Sequence, residues 1–220
     1  AREAGDRART KIVILKTARA RANTAATGFL AAPRLVITAG HAIAGAVSVT
    51  GWVNGVGYPA QTAGVDADRD LAALRLSAPE LELKPVVLAR SSQALQENEE
   101  LVIPTGPSQG PEARGDPAER LLLPARFVGR RYARNAAGKV DLVLTLQAHI
   151  RRGDSGSPVI RARDGTVVGV VTSRQLPDEN DVSYHAYAVP VEGVRAWLEA
   201  LPNARPAPRE EFYLFPGGGG

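Results

Sequence analysis

Short runs of apolar, mostly β-branched residues recur along the chain, and turn-forming residues separate them. Many short runs at this spacing, with few helical periods between them, predict an all-β sandwich or barrel. The runs form two sets. The first set covers residues 11–17, 28–30, 35–38, 47–53, 70–76 and 101–103, and the second covers residues 121–132, 140–147, 158–162, 166–173 and 184–189.

A stretch rich in proline and glycine separates the two sets of runs. Residues 104–119 hold seven prolines or glycines, a composition typical of an irregular connection. We therefore expect an N-terminal lobe over residues 1–106, an inter-lobe linker over 107–120, a C-terminal lobe over 121–201 and a tail or linker over 202–220.

Two shorter sequence signals predict a turn and a helix within the second lobe. The dipeptide Asp164-Gly165 lies between two apolar runs, which indicates a hairpin turn. In residues 191–201 the apolar side chains recur at helical spacing and Pro202 follows them, so we expect a closing helix.

Composition narrows the function classes. The 220 residues include no cysteine, which excludes disulfides, a thiolate nucleophile and a zinc ribbon. No apolar run approaches the ~18 residues of a membrane span. The net charge of +4 comes from scattered arginines rather than a basic tract, so nucleic-acid binding is disfavoured. No signal peptide is visible after Ala1, and we expect a bacterial cytoplasmic location.

The segment from Arg152 to Pro158 carries the sharpest chemical signal. Its sequence Gly153-Asp154-Ser155-Gly156 places a serine in a tight turn between glycines. The amide N–H groups of Gly153 and Ser155 could converge to form an oxyanion hole, where one donor is worth roughly 10²–10³ in rate. Taken alone the segment is equally compatible with a surface turn, but the hairpin that follows makes the signal more specific.

A serine nucleophile needs a base and a group that orients the base. His41 follows the apolar run 35–38, and Asp70 opens an alternating run. These two residues are the candidates for base and orienting carboxylate. Asp66 and Asp68 compete with Asp70 and are expected to be loop carboxylates in solvent.

The order Thr38-Ala39-Gly40-His41, then Asp70-Leu71-Ala72, then Gly153–Pro158 resembles the trypsin/chymotrypsin-like serine peptidases. The bacterial branch without disulfides, which includes HtrA-type and glutamyl-endopeptidase-type enzymes, is the most similar. The resemblance covers about residues 11–201 and implies two six-stranded Greek-key barrels with the site between them. It also implies that His41 is the general base, Asp70 its orienting residue and Ser155 the nucleophile, with Gly153 and Ser155 supplying the oxyanion donors.

Asp154 departs from the HtrA-type pattern, which usually has asparagine before the serine. In trypsin the aspartate at this place pairs with a new N-terminal Ile or Val, and no such start follows Ala1 here. A buried carboxylate needs a partner. We therefore expect Asp154 to pair with an arginine, and Arg126, Arg130 and Arg131 are equal candidates.

The resemblance also implies the substrate-binding residues. His149 lies six positions before the nucleophile, at the base of the S1 pocket, and Thr172, Ser173 and Arg174 line the pocket and pair with the substrate backbone. His185 lies on the strand that closes the pocket wall. Two histidines and an arginine favour an acidic or hydrogen-bonding residue at P1, the residue that precedes the cleaved bond. The alternative is a pocket for small apolar residues with one histidine merely packed.

These signals lead to a serine endopeptidase that acts on protein or peptide substrates. A protease effector domain of a larger bacterial protein, activated by a regulatory domain or partner protein, is the second hypothesis, and an inactive binding scaffold is the third. The histidines lack metal-ligand spacing and no glycine-rich loop cradles a phosphate, so we expect no metal and no cofactor.

Overall fold

The computed structural model describes residues 3, 9–20, 23–79, 84–106, 121–134, 138–175 and 184–201. The described chain forms two closed six-stranded antiparallel β-barrels and ends in a helix. The first barrel contains β1 (Ile12–Ala18), β2 (Asn23–Ala32), β3 (Leu35–Ala39), β4 (Ser48–Val53), β5 (Val56–Asp66) and β6 (Leu71–Leu76), with the one-turn helix α1 (Gly40–Ile43) after β3. The second contains β7 (Glu100–Thr105), β8 (Leu121–Arg134), β9 (Val140–Gln147), β10 (Pro158–Arg161), β11 (Val167–Gln175) and β12 (His185–Pro190), and α2 (Val191–Ala200) follows it. This architecture confirms the all-β, chymotrypsin-like expectation.

The barrels close because their first and last strands pair. In the first barrel the order is β1-β2-β3-β6-β5-β4, and β4 pairs with β1; in the second it is β10-β11-β12-β9-β8-β7, and β7 pairs with β10. Closure leaves no unpaired edge strand, which removes a site for unwanted strand addition.

Several strands have apolar residues at consecutive positions because both of their faces are buried. In β1, Val13 and Leu15 pack inside the first barrel, while Ile12 and Ile14 pack in a second cluster. That second cluster also contains Val102 of β7 and other residues of the second barrel, so it is the contact between the barrels. Successive side chains on a strand point to opposite faces. Both faces of β1 are therefore buried, one in a barrel and one between barrels.

The place of β7 and the presence of β5 differ from the sequence-based expectation. Residues 101–103 were grouped with the first set, but β7 pairs with β8 and β10 and belongs to the second barrel. Strand β5 was not predicted, because its residues are mostly exposed or half-buried and include two glycines and Pro59. Its ladder bonds to β4 and β6 hold it in the barrel instead.

Apart from β2, the other strands and the closing helix begin and end within two residues of the predicted bounds; β2 spans Asn23–Ala32, of which the pattern predicts only residues 28–30. The hairpin at Asp164-Gly165 joins β10 to β11, and the Asp164 carboxylate accepts hydrogen bonds from the N–H and hydroxyl of Thr166. The expected linker, 107–120, and tail, 202–220, lie outside the described residues and remain predictions. Among the described helices, none is long and apolar enough to cross a membrane.

Candidate active site

The turn that carries Ser155 connects β9 to β10 and depends on two glycines with left-handed backbone. Gly153 has φ of 102° and Gly156 has φ of 87°. A Cβ on Gly156 would lie 2.1 Å from the carbonyl oxygen of Thr27 and 2.3 Å from the Thr38 hydroxyl oxygen. Only glycine fits this approach without displacing the first barrel.

Thr27 of β2 holds this turn against the first barrel. Its N–H donates to the Ser155 carbonyl at 3.1 Å, and its hydroxyl donates to the Gly153 carbonyl at 2.8 Å. The same hydroxyl oxygen accepts the N–H of Gly106 at 3.1 Å, and Thr38 donates its hydroxyl to the Thr27 carbonyl at 2.8 Å. Thr27 is completely buried, so one residue of the first barrel fixes the position of a turn in the second.

The amide N–H groups of Gly153 and Ser155 donate no hydrogen bond to any protein group in the described ranges. Both residues are half-buried and line a cavity. Backbone donors that are partly removed from water and lack a protein acceptor are available to an incoming oxygen. The oxyanion role expected for these two residues stays a prediction.

His41 lies in α1, directly after β3, and its ring contacts Asp70. The distance from His41 Nδ1 to Asp70 Oδ2 is 2.6 Å, and the His41 backbone N–H donates to Asp70 Oδ1 at 2.7 Å. Gly40 donates its N–H to the Asp70 carbonyl at 2.8 Å. Asp70 itself has φ of 57°, a conformation that few non-glycine residues adopt. Three contacts from α1 therefore hold this strained residue and its carboxylate beside the imidazole.

The competing carboxylates of the same loop have other partners. Asp66 accepts hydrogen bonds from the backbone N–H and the guanidinium of Arg69. Asp68 is exposed and pairs with Lys139. Of the three candidate aspartates, Asp70 is the one whose carboxylate contacts His41 through the described hydrogen bonds.

Asp70 changes the proton affinity of the imidazole. The hydrogen bond from Asp70 raises the pKa of His41 above its usual value, and the negative charge of Asp70 adds to this effect. Partial burial and the positive charge of Arg19 act in the opposite direction, but they are smaller in sum. The result is a histidine whose pKa lies on the basic side of ordinary histidines.

Asp154 differs from the expectation that it pairs with Arg126, Arg130 or Arg131. The carboxylate is completely buried, and among its contacts are the Thr105 hydroxyl at 2.6 Å and the backbone N–H of Arg151 at 2.6 Å. The three arginines of β8 lie at the surface and contact other groups. Arg126 pairs with Glu100, Arg130 donates to the Ser92 carbonyl, and Arg131 lies over the Tyr187 ring. The expectation that one of these three arginines pairs with Asp154 is therefore wrong, since their exposed or half-buried side chains are held away from the interior.

Two cavities meet at His41. The first, which we name the β2-side cavity, has a volume of about 720 Å³ and is lined by Ser155, Gly153, Arg152, Arg19 and residues of β2. The second, named the β11-side cavity, has a volume of about 640 Å³ and is lined by Asp70, Thr172, Ser173, Tyr187 and residues of β9. Ser155 and His41 thus face the same open space, and a substrate chain that passes His41 would extend into both cavities.

The remaining predicted site residues lie on β11, on β12 and in the loop after β9. Thr172 is nearly buried and Ser173 is exposed, both on β11, where Arg174 lies opposite Ala186 of β12 in the ladder. His149 is exposed, and its ring packs against Tyr184 at a centroid distance of 4.2 Å. His185 is half-buried on β12, opposite Gln147 of β9. Both histidines therefore lie at the same end of the β9–β12 pair.

Three threonines join the barrels at this site, and their role was not predicted from the sequence. Thr27, Thr38 and Thr105 are buried and connect the Ser155 turn, the strand before His41 and the Asp154 carboxylate. A buried threonine in an alternating strand looks like any other strand residue, so the sequence carried little signal for them. No group of three or more potential metal-ligating side chains occurs within the described ranges.

Comparison with known proteins agrees with this geometry. The model of the family described as "Trypsin-like peptidase domain" matches residues 26–170. Two curated relatives from Mycobacterium tuberculosis, the serine proteases MT3772 and Rv3671c, are each 29% identical over 152 residues, which cover 69% of this chain and 36% of the relative. This chain therefore aligns with only about a third of the length of those relatives.

Solved structures extend the similarity to almost the whole fold. The active form of the Rv3671c protease from M. tuberculosis has a TM-score of 0.77 at 23% identity, covering 93% of this chain and 86% of that one. An inactive form of the same protease has a TM-score of 0.72 at 23% identity, covering 90% and 92%. With two barrels, an ordered His–Asp–Ser arrangement and a family match over more than half of its length, this chain belongs to the family of trypsin-like peptidase domains.

Proposed function

We propose that this chain is a serine endopeptidase in which Ser155 is the nucleophile, His41 the general base and Asp70 the residue that orients the base. The observation that carries the proposal is the 2.6 Å contact between His41 and Asp70 at the edge of a cavity that Ser155 also lines. With Nδ1–H donating to Asp70, the other ring nitrogen, Nε2, is the one left to accept a proton.

The reaction follows from these positions. Ser155 Oγ attacks the peptide carbonyl carbon while its proton passes to His41 Nε2. The carbonyl oxygen becomes an oxyanion and accepts hydrogen bonds from the N–H groups of Gly153 and Ser155. His41 then gives the proton to the leaving amine nitrogen and the C–N bond breaks, which leaves an ester on Ser155. Water, deprotonated by His41, hydrolyses the ester and restores the free hydroxyl.

The test combines a covalent probe with turnover. A fluorophosphonate should label the purified chain and should fail to label Ser155→Ala, whereas Ser77→Ala, which changes an exposed serine outside the site, should label normally. His41→Ala should abolish peptide hydrolysis. Labelling of Ser155→Ala at the rate of the unmodified chain would contradict the assignment.

The finer proposal concerns the P1 residue, for which we infer an acidic side chain. His149 and His185 lie at one end of the β9–β12 pair, and donors are what a buried carboxylate requires. The alternative is a small apolar P1, with one histidine serving only as a packing residue. A peptide library that varies P1 distinguishes the two. Preferential cleavage after Asp or Glu, reduced in His185→Gln, supports the first, and cleavage only after Ala or Val contradicts it.

A domain activated by a partner is the second form of this activity. The proposed triad needs no partner if the described contacts of His41, Asp70 and the Ser155 turn suffice to hold it. Hydrolysis by the purified chain alone would support that view. Probe labelling that appears only in a longer form of the protein would favour the partner-dependent form.

A further inference from the structure

The β2-side cavity is positively charged. Its lining includes Arg19 and Arg152 and, among the described residues that line it, no aspartate or glutamate. Both arginines therefore face a space that also holds Ser155 and His41. Such a cleft concentrates negative charge beside the reacting groups.

Arg19 is held in place by backbone acceptors rather than by a carboxylate. It is half-buried after β1, and its guanidinium donates to the carbonyls of His41 at 3.2 Å and of Ala42 at 3.0 Å. Its Nε is buried and has no acceptor in the described protein. The positive charge is thus fixed at the cavity wall, and no described carboxylate pairs with it.

Arg152 is exposed, precedes Gly153, and has no ion pair or hydrogen bond with the described protein groups. Most other surface arginines with a described contact pair with a carboxylate. These include Arg69, Arg126, Arg161, Arg163 and Arg195. The two arginines at the cavity differ from that group, because no carboxylate of the described residues pairs with either of them.

The direction in which a substrate chain would run places its part after the cleaved bond in the β2-side cavity. The resemblance implies that the acyl side of the substrate lies along β11, and Thr172 and Ser173 of β11 line the other cavity at His41. A chain that enters along β11 and is cut at Ser155 must continue into the β2-side cavity. We propose that Arg19 and Arg152 form a subsite that binds an aspartate or glutamate at P1′ or P2′, the first two residues after the cleaved bond; this rests on the proposed endopeptidase function.

Guanidinium groups suit this ligand because they present several donors in a plane that matches a carboxylate. A charge-assisted hydrogen bond that replaces a neutral one changes kcat/KM by about 10-fold or more. The gain should shrink with added salt, since Arg152 is exposed and its field is screened.

The experiment uses matched peptides with one P1 residue, taken as the best in the P1 library, and with Glu, Gln or Lys at P1′ or P2′. We expect kcat/KM to be about 10-fold higher for Glu than for Gln at one of these positions, and lowest for Lys. Arg152→Gln should bring the Glu-to-Gln ratio close to one. Arg75→Gln, which removes an equal charge from an exposed position on β6 outside the cavity, should leave the ratio unchanged.

A binding measurement separates failure of this subsite from failure of the proposed function. Dissociation constants of the same uncleaved peptides with Ser155→Ala should show the Glu preference, and Arg19→Gln in that background should reduce it. Equal affinities for Glu and Gln peptides, in a chain whose unmodified form reacts with the fluorophosphonate, would overturn the subsite and leave the peptidase intact. Absence of probe labelling together with a clear Glu preference would support the anion subsite and contradict the proposed chemistry.

Discussion

The backbone N–H of Thr27 donates to the carbonyl of Ser155 at 3.1 Å, so a strand of the first barrel holds the turn that carries the proposed nucleophile of the second. The Thr27 hydroxyl adds a bond to the Gly153 carbonyl and accepts the Gly106 N–H. The relative position of Ser155 and His41 therefore depends on a contact between barrels, not on the Ser155 turn alone.

Thr27→Val should destabilise the protein by about 2–3 kcal/mol, because it leaves the buried N–H of Gly106 and carbonyl of Gly153 without partners. The variant should also lower kcat, since the Ser155 turn loses a fixed contact. Urea unfolding and peptide turnover provide the two measurements. Thr27→Ser keeps the hydroxyl and should retain most of the activity. Equal losses of stability and turnover in both variants would show that the hydrogen bonds are not the cause.

Gly156→Ala should prevent the Ser155 turn from docking. Its φ of 87° disfavours any side chain, and the new Cβ would overlap the Thr27 carbonyl. We expect a loss of more than about 3 kcal/mol of stability and no probe labelling. Gly129→Ala on β8 is the matched control, because its Cβ would meet nothing within 4 Å. A stable, active Gly156→Ala would refute the tight docking.

The acid limb of activity should follow the ionisation of His41. The base must be neutral to accept the Ser155 proton, so kcat/KM should rise with pH through the pKa of His41, which Asp70 holds above its usual value. Asp70→Asn removes the carboxylate that raises this pKa. The acid limb should therefore move to lower pH, while the plateau falls by about 10³–10⁴-fold as the imidazole loses its orientation.

Asp68→Asn is the control for this profile, because Asp68 lies in the same loop but pairs with Lys139. Its acid limb should stay close to that of the unmodified chain. A limb that moved equally in both variants would show that general loop charge, and not the direct contact with Asp70, sets the pKa of His41.

Glu192 of α2 should contribute stability that depends on pH. Burial opposes its ionisation, but hydrogen bonds from Ser91 and Ser92 outweigh that effect and lower its pKa. A lowered pKa in the folded state means that the stabilisation is complete above the pKa of the unfolded chain and is lost as pH falls through the folded value.

Glu192→Gln should therefore cost about 1 kcal/mol at neutral pH, discounted for solvent screening, and progressively less below pH 4.5. Urea unfolding at several pH values measures the difference. Glu199→Gln on the same helix, where the carboxylate is 4.0 Å from Arg195 at the surface, should cost little at any pH. A constant difference for Glu192→Gln across the pH range would refute the linkage.

Most strands could be predicted from the chain because their burial is visible as an apolar pattern. Strand β9 lies at the predicted residues 140–147, and α2 follows the predicted helical spacing. Strand β5 could not be found in this way, since its backbone bonds to β4 and β6 hold it while its side chains remain largely exposed. The assignment of β7 to the second barrel could not be predicted either, because an apolar run carries no information on which barrel its strand will join.

The motifs around His41, Asp70 and Ser155 identified the candidate chemistry, because each combines a reactive side chain with small residues that allow a close approach. The resemblance implied Asp70 as the partner of His41, but the sequence determined neither the geometry of that contact, nor the partners of Asp154, nor the surroundings of the β2-side cavity. Those outcomes depend on contacts between residues far apart in the chain: α1 with Asp70, Thr105 with Asp154, and Arg19 with the carbonyls of His41 and Ala42. Local sequence sets the type of side chain and its strand or turn, whereas the packing of two barrels sets the distances at which those side chains act.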